Sequence, residues 1–225
     1  MSKEQTELQI IETGDGSHTL YDPLLDEHYH SQHGSLQESK HVFIQNGLDF
    51  IAQKQKDLMV LEIGFGTGLN ALLAVLNGDG SHIMYVGLEP FPLKKEIIDR
   101  LNFSDMISDE AEEHFNRIHA ISWGVWNDIT GSFALKKCKT TIQEFKSEEQ
   151  FDLVFFDAFA PTPQPEMWTI KIFKKVHSVM NDNAILVTYC AKGEVRRTMI
   201  EAGFTCERLP GPPGKREMLR ATKNG

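Results

Sequence analysis

The stretch LEIGFGTGLN, from Leu61 to Asn70, follows the apolar residues Leu58, Met59 and Val60 and leads into Leu69–Leu76, whose apolar spacing is helical. A buried strand that turns through close-set glycines into a helix start brings bare backbone N–H groups to a ligand. Three glycines in five residues suit a helix start poorly, so a turn with spare glycines is the weaker explanation. The spacing also separates cofactors. A dinucleotide loop wants G-x-G-x-x-G/A, and the residue three after Gly66 is Leu69.

The pattern present is E-x-G-x-G-x-G, formed by Glu62, Gly64, Gly66 and Gly68. It is the nucleoside loop expected for S-adenosyl-L-methionine. Glu62, Gly64, Phe65, Gly66, Thr67, Gly68 and Asn70 are therefore the expected loop contacts. Glu89 ends a second apolar run, Ile83 to Leu88, and a carboxylate there can accept both ribose hydroxyls. Acids often end strands, so Glu89 gains its meaning from the glycine spacing.

Further apolar runs follow. Phe151–Asp157 (FDLVFFD) is closed by AFAPTPQPE, which cannot continue in a sheet. Residues 165–179 read as a helix with Trp168, Ile172, Phe173 and Val176 on one face, and Ala184–Cys190 as another buried strand. A helix stopped by Gly203 comes next, then FTCERL and REMLRAT as a final antiparallel pair around PGPPGK. Strands alternating with helices predict an α/β fold, a doubly wound, Rossmann-like seven-stranded sheet. Gly64–Gly68, Glu89 and Asp157 all fall at C-terminal strand ends, where such sheets bind ligands. Residues 1–50 read as an N-terminal extension with a hairpin and loop, residues 51–225 as the main domain, and residues 100–127 as an inserted cap holding Trp123 and Trp126.

Asp157 is the expected catalytic residue. Its strand is strongly apolar, so burial raises its pKa unless a cation opposes it. Phe159 lies two residues on, and ring plus carboxylate suit a planar base bearing an ammonium group. Amine methylation requires loss of that proton and an in-line lone pair. Capping of the following helix is the structural alternative for Asp157. His28, His30 and His33 invite a metal, but their spacing fits no standard site, and none is expected.

The net charge of −9 disfavours indiscriminate nucleic-acid binding. From Ala191 onward, however, eight Lys/Arg stand against four Glu, a basic segment able to meet phosphate. Cys138, Cys190 and Cys206 lack CxxC spacing, so neither a disulfide framework nor zinc is indicated. The polar start MSKEQTELQI has no signal-peptide core and no run reaches membrane-span length, which predicts a cytoplasmic protein without membrane contact.

LEIGFGTGLN, GLEPFPL, FFDAFAPTPQPEMWT, GEVRRTMIEAGFTCERLPGPPGKREML and YHSQHGSLQESKHVF together resemble the methyltransferase part of the bacterial tRNA 5-methylaminomethyl-2-thiouridine biosynthesis (MnmC) family, over about Tyr21 to Arg220. The resemblance implies a class I S-adenosyl-L-methionine-dependent methyltransferase acting on the amine of 5-aminomethyl-2-thiouridine at the tRNA wobble position, in the anticodon region. It gives the cofactor to Gly64, Gly66, Gly68 and Glu89, and amine orientation or deprotonation to Asp157. Tyr29, Ser31, Glu38 and Phe159 would shape the base pocket, and Lys215 and Arg216 would meet tRNA phosphates. Bifunctional members carry a flavin-dependent oxidoreductase, and no second dinucleotide loop occurs here, so a separate enzyme is expected to supply the amine. Thr141 stands where an acid facing adenine is expected. Methylation of a small-molecule or protein amine, and a non-catalytic tRNA- or partner-binding module of the same fold, remain the alternatives.

Overall fold

The computed structural model describes residues 8–78 and 80–224; most of the polar start of the chain lies outside the described residues. The chain opens with a small antiparallel sheet of β1 (Gln9–Glu12), β2 (His18–Asp22) and β3 (Glu27–His28). An unbroken helical stretch follows, made of α1 (Ser35–Ser39), a π-helical segment (Lys40–Leu48) and α2 (Asp49–Ala52). Gly47 in this stretch lies so close to the sheet that a Cβ would stand 3.0 Å from Val187 and 3.1 Å from Phe155.

The rest of the chain alternates. In order come β4 (Asp57–Ile63), α3 (Leu69–Asn77), β5 (His82–Leu88), α4 (Lys95–Ile98), α5 (Phe103–Ile107), α6 (Asp109–Ala120), β6 (Asn127–Thr130) and β7 (Phe133–Cys138). Then follow β8 (Phe151–Phe156), a 3-10 turn (Pro165–Trp168), α7 (Ile170–Ser178), β9 (Met180–Thr188), α8 (Gly193–Glu201), β10 (Phe204–Pro210) and β11 (Glu217–Lys223). The single helix expected over 165–179 is thus two pieces, because Thr169 takes an extended conformation between them.

The main sheet has strand order β10-β11-β9-β8-β4-β5-β7-β6. The five central strands, from β9 to β7, are parallel, whereas β11, β10 and β6 run antiparallel to their neighbours. Eight strands stand where seven were expected. The addition is β6, which pairs with β7 through a tight Gly131-Ser132 connection at the sheet edge.

Period-two alternation divides the core between the two faces. Leu58, Val60, Tyr85, Leu153 and Phe155 meet the π-helical stretch, α3 and α6. Leu61, Ile63, Val86, Val154 and Phe156 meet α7 and α8. Each large side chain so buried contributes about 1.5–3 kcal/mol. Residues 103–120 pack on α3 through Phe103, Ala111, Phe115 and Ile118. Among the described residues no helix is long and apolar enough to cross a membrane.

The strand order reverses beside β4: the chain winds to β5 and β7 on one side and to β8 and β9 on the other. At this switch point Asp157 N–H donates to Ile63 O at 2.9 Å. A crevice opens there by topology alone.

Candidate active site

The glycine loop follows from contacts that only glycine permits. Gly64 (φ +93°) lies so close to β8 that a Cβ would stand 2.4 Å from the Asp157 carbonyl oxygen. The N–H groups of Gly64 and Phe65 both donate to Leu88 O, at 3.1 and 3.0 Å, tying the loop to the end of β5. Phe65 then plugs inward against Gly87, beside His119 and Trp123. Glu89 secures the next turn: Oε2 accepts Gly66 N–H at 2.9 Å and Oε1 accepts Phe91 N–H at 2.8 Å. Burial raises the Glu89 pKa, and these two bonds oppose that rise.

A cavity of about 1770 Å³ lies over this loop. Its wall includes Gly64, Phe65, Gly66, Thr67 and Glu89 from the expected cofactor set. Asp157, Phe159, Tyr29, Ser31, Glu38 and Lys215 from the expected catalytic and substrate set also line it. Segments at residues 27–38, 64–67, 157–160 and 215 thus converge on one space.

Asp157 sits on the cavity floor, partly open to it. Burial, reinforced by Glu38, pushes its pKa up to about 7, while a bond from Asn70 and the charge of Lys215 hold it from rising further. Tyr29 lies over Gly66 and meets the Phe159 ring edge-on, with centroids 5.0 Å apart and planes at 89°. Trp168 Nε1–H donates to Phe159 O at 2.8 Å, and Tyr189 O–H donates to Ala158 O at 2.9 Å. Those bonds lock the loop that carries the acid.

The far wall joins distant parts of the chain. Glu38 accepts Ser31 N–H at 2.9 Å and forms an ion pair with Lys215, whose ammonium also lies 3.8 Å from the centre of the Tyr189 ring. Lys215 therefore points into the cavity, which an expectation of phosphate contact did not anticipate. Arg216 is exposed and outside the lining. Gly214 packs on the His33 ring, and His41 Nε2–H donates to Pro210 O at 2.8 Å, clasping the β10–β11 loop to the N-terminal segment.

Three expected loop contacts face elsewhere. Gly68 lies outside the lining, and Glu62 and Asn70 are buried behind it. The three histidines take separate partners: His28 meets Gln32, His30 Nε2 lies 2.7 Å from Thr67 Oγ1, and His33 packs on Gly214. Burial pushes the His30 pKa down to about 4, so it is neutral near pH 7.

Tyr189 and residues 139–143 also line the cavity. Both follow C-terminal strand ends, β9 and β7, so the switch-point rule could have flagged them. Thr141 takes its place there, its Oγ1 accepting Glu144 N–H at 3.3 Å.

Residues 125–224 match a family described as S-adenosyl-L-methionine-dependent methyltransferase. The bifunctional tRNA 5-methylaminomethyl-2-thiouridine biosynthesis protein MnmC of Cupriavidus metallidurans is 30% identical over 219 residues, covering 90% of this chain and 32% of that protein. MnmC of Paraburkholderia xenovorans is 27% identical over 216 residues, covering 89% and 33%. The chain thus spans about a third of the length of these curated relatives. MnmC2 from Aquifex aeolicus, a solved structure, aligns with a TM-score of 0.82 at 24% identity, over 99% of this chain and 73% of that one. The chain is therefore similar to the MnmC proteins over about a third of their length, and it has the Rossmann-like fold of S-adenosyl-L-methionine-dependent methyltransferases.

Proposed function

We propose that this chain transfers a methyl group from S-adenosyl-L-methionine to the primary amine of 5-aminomethyl-2-thiouridine at the wobble position of tRNA. The observation that carries the reading is Asp157: a carboxyl held near neutrality on the floor of a cavity, between a glycine loop and an aromatic pair.

The residues present fit the cofactor. Glycines at 64 and 66 leave backbone uncovered where a side chain would collide, and Glu89 offers a carboxylate at the next strand end. Gly64, Phe65, Gly66, Thr67 and Glu89 would hold it, with residues 139–143 supplying the wall that follows β7. Acids outnumber bases seven to four in the cavity lining, which favours ligands that carry positive charge. When bound, S-adenosyl-L-methionine supplies an electrophilic methyl on a sulfonium centre.

The chain does the rest. An aminomethyl group arrives largely as an ammonium ion and cannot attack until it loses a proton. Asp157, with a pKa of about 7, is matched to accept that proton at working pH. Tyr29 and Phe159 present ring surface to the base, and the bonds from Trp168 and Tyr189 hold Phe159 and Asp157 in register. Glu38 offers a second carboxylate to the ammonium during entry. Exposed Arg216 would meet tRNA phosphate outside the cavity. The natural partner is the anticodon region of a cytoplasmic tRNA whose wobble uridine carries the aminomethyl group.

The test is transfer of labelled methyl from S-adenosyl-L-methionine to tRNA bearing 5-aminomethyl-2-thiouridine, with carboxymethylaminomethyl tRNA as the control. Transfer to the first alone is expected. Asp157→Asn is expected to lose about 10²–10⁴-fold in turnover with cofactor affinity kept. Transfer to a free amine or a protein, with none to tRNA, would overturn the substrate assignment.

A further inference from the structure

Behind the cavity floor lies a buried polar group that the proposed reaction does not yet use. Glu62 is fully buried and Asn70 is 2% exposed, although the glycine motif would hand both to the cofactor. Asn70 sits in the first turn of α3. Its Nδ2 donates both protons, one to Glu62 Oε1 at 2.9 Å and one to Asp157 Oδ2 at 2.8 Å. Tyr85 closes the cluster from β5, its buried hydroxyl set against the buried Glu62 carboxyl. Among the described residues no donor reaches Asp157 Oδ1.

We propose that Asn70 is a positioning residue for Asp157: anchored by Glu62, its amide fixes Oδ2 and leaves Oδ1 turned to the cavity for the substrate's proton.

The chemistry of the cluster supports this. Two carboxyls served by one amide do not both ionise in a buried site. Glu62 is the deeper of the two, and burial and the charge of Asp157 push its pKa well above the ordinary carboxylate range. Glu62 therefore remains a neutral acid whose Oε1 accepts one amide proton, and the negative charge belongs to Asp157. The groups facing Asp157 are Glu62 and Tyr85 behind, and Glu38, Lys215 and Tyr189 across the cavity. Among the described residues, Asn70 alone donates a hydrogen bond to this carboxylate. An amide nitrogen whose two protons are taken by Glu62 and by Asp157 is fixed in its plane, so the carboxylate keeps one orientation.

The inference rests on the reading of Asp157 as the proton acceptor, and its test separates the two. The ionisation midpoint of the Asp157 carboxyl is followed by carbon NMR of aspartate-labelled protein, with Asp157→Asn assigning the signal. Cofactor affinity is measured by calorimetry, and the pH profile of methyl transfer alongside. Asn70→Ala is expected to raise the midpoint by about one pH unit, since a hydrogen bond to the ionised form is lost. It should move the acid limb of the rate profile by the same amount, lower kcat at least tenfold, and leave cofactor affinity within about threefold. Glu62→Leu, which frees the amide, should act in the same direction, and Glu62→Gln, which keeps an oxygen for it, should restore most of the loss. If Asn70→Ala does not fold, the Glu62 pair carries the test.

An unmoved midpoint in Asn70→Ala, or in Glu62→Leu, would overturn the positioning role. Loss of cofactor affinity with the midpoint unchanged would return both residues to cofactor binding. Absence of methyl transfer in the wild-type protein would sink the reaction assigned above while the NMR midpoints still decide this one.

Discussion

Replacing Asp157 by Asn should make the protein more stable at alkaline pH even as it removes activity. The carboxyl has an ordinary pKa of 3.8 and is held at about 7 in the fold. Below pH 3.8 it is neutral whether folded or unfolded, and contributes no difference. Between there and about pH 7 the unfolded chain ionises while the folded chain keeps its proton, so stability falls as pH rises. Above pH 7 the loss is complete. Each pKa unit is worth about 1.4 kcal/mol, which sets an upper figure of about 4 kcal/mol. Partial opening of Asp157 to the cavity reduces this to about 2 kcal/mol. Asparagine still offers an oxygen to Asn70 and carries no charge. Asp157→Asn should thus gain about 4–8 °C in melting temperature near pH 8.5, and the gain should shrink to a degree or two near pH 4.5. Thermal unfolding of both proteins without cofactor, at the two pH values, is the assay. A variant no more stable than wild type near pH 8.5 would refute the claim that the fold holds this carboxyl at a cost.

Three further outcomes follow from distances and charges in the site. Gly64→Ala places a methyl 2.4 Å from the Asp157 carbonyl oxygen at a φ of +93°, and should lower stability by about 2–4 kcal/mol in a denaturant titration. Glu38 and Lys215 act oppositely on Asp157, so Glu38→Gln should move the acid limb of the rate profile to lower pH and Lys215→Met to higher pH, each by a fraction of a unit. Shifts of the same sign would contradict the arrangement. Glu89→Ala removes the acceptor of the Gly66 and Phe91 N–H groups, and calorimetry should show cofactor affinity about 10–100-fold weaker, a loss of about 1.4–2.8 kcal/mol.

The parts of the site that were legible from the apolar pattern share one property: each lies at the end of a strong apolar run, whereas Tyr29, Ser31 and Glu38 were named only through the family resemblance. Leu58–Ile63, Ile83–Leu88 and Phe151–Phe156 announce buried parallel strands, and Gly64, Glu89 and Asp157 stand directly after them. Topology then brings those three together without further information. Tyr189 obeys the same rule after β9 and could have been named. The direction of a side chain is less legible. Glu62 and Asn70 look like ligand contacts within a glycine motif, yet strand alternation turns Glu62 inward with Val60 and Tyr85, and the first turn of α3 carries Asn70 after it. Lys215 lies beside Arg216 in the sequence, and only the Glu38 ion pair distinguishes the inward residue from the outward one. Strand β6 is short, with only Ile129 fully buried among its four residues, so its pattern is too weak to announce a strand. The π-helical stretch has no local signature either, and the close packing of its Gly47 on Phe155 and Val187 is a contact of the folded sheet.

The ion pair between Glu38 and Lys215 joins residues 177 positions apart, whereas two of the bonds around the glycine loop span only 8, for Glu62 with Asn70, and 23, for Glu89 with Gly66. Closing a long loop costs more chain entropy than closing a short one, so the two halves of the cavity do not assemble together. The loop half needs the β4–α3–β5 unit and β8, against whose end Gly64 packs. The far wall must wait until the β10–β11 loop has been made and has found the N-terminal segment. During refolding from denaturant, affinity for the nucleoside ligand should therefore return ahead of methyl transfer, and a ribosome-bound chain that has not yet exposed Lys215 should already have its ligand loop in place.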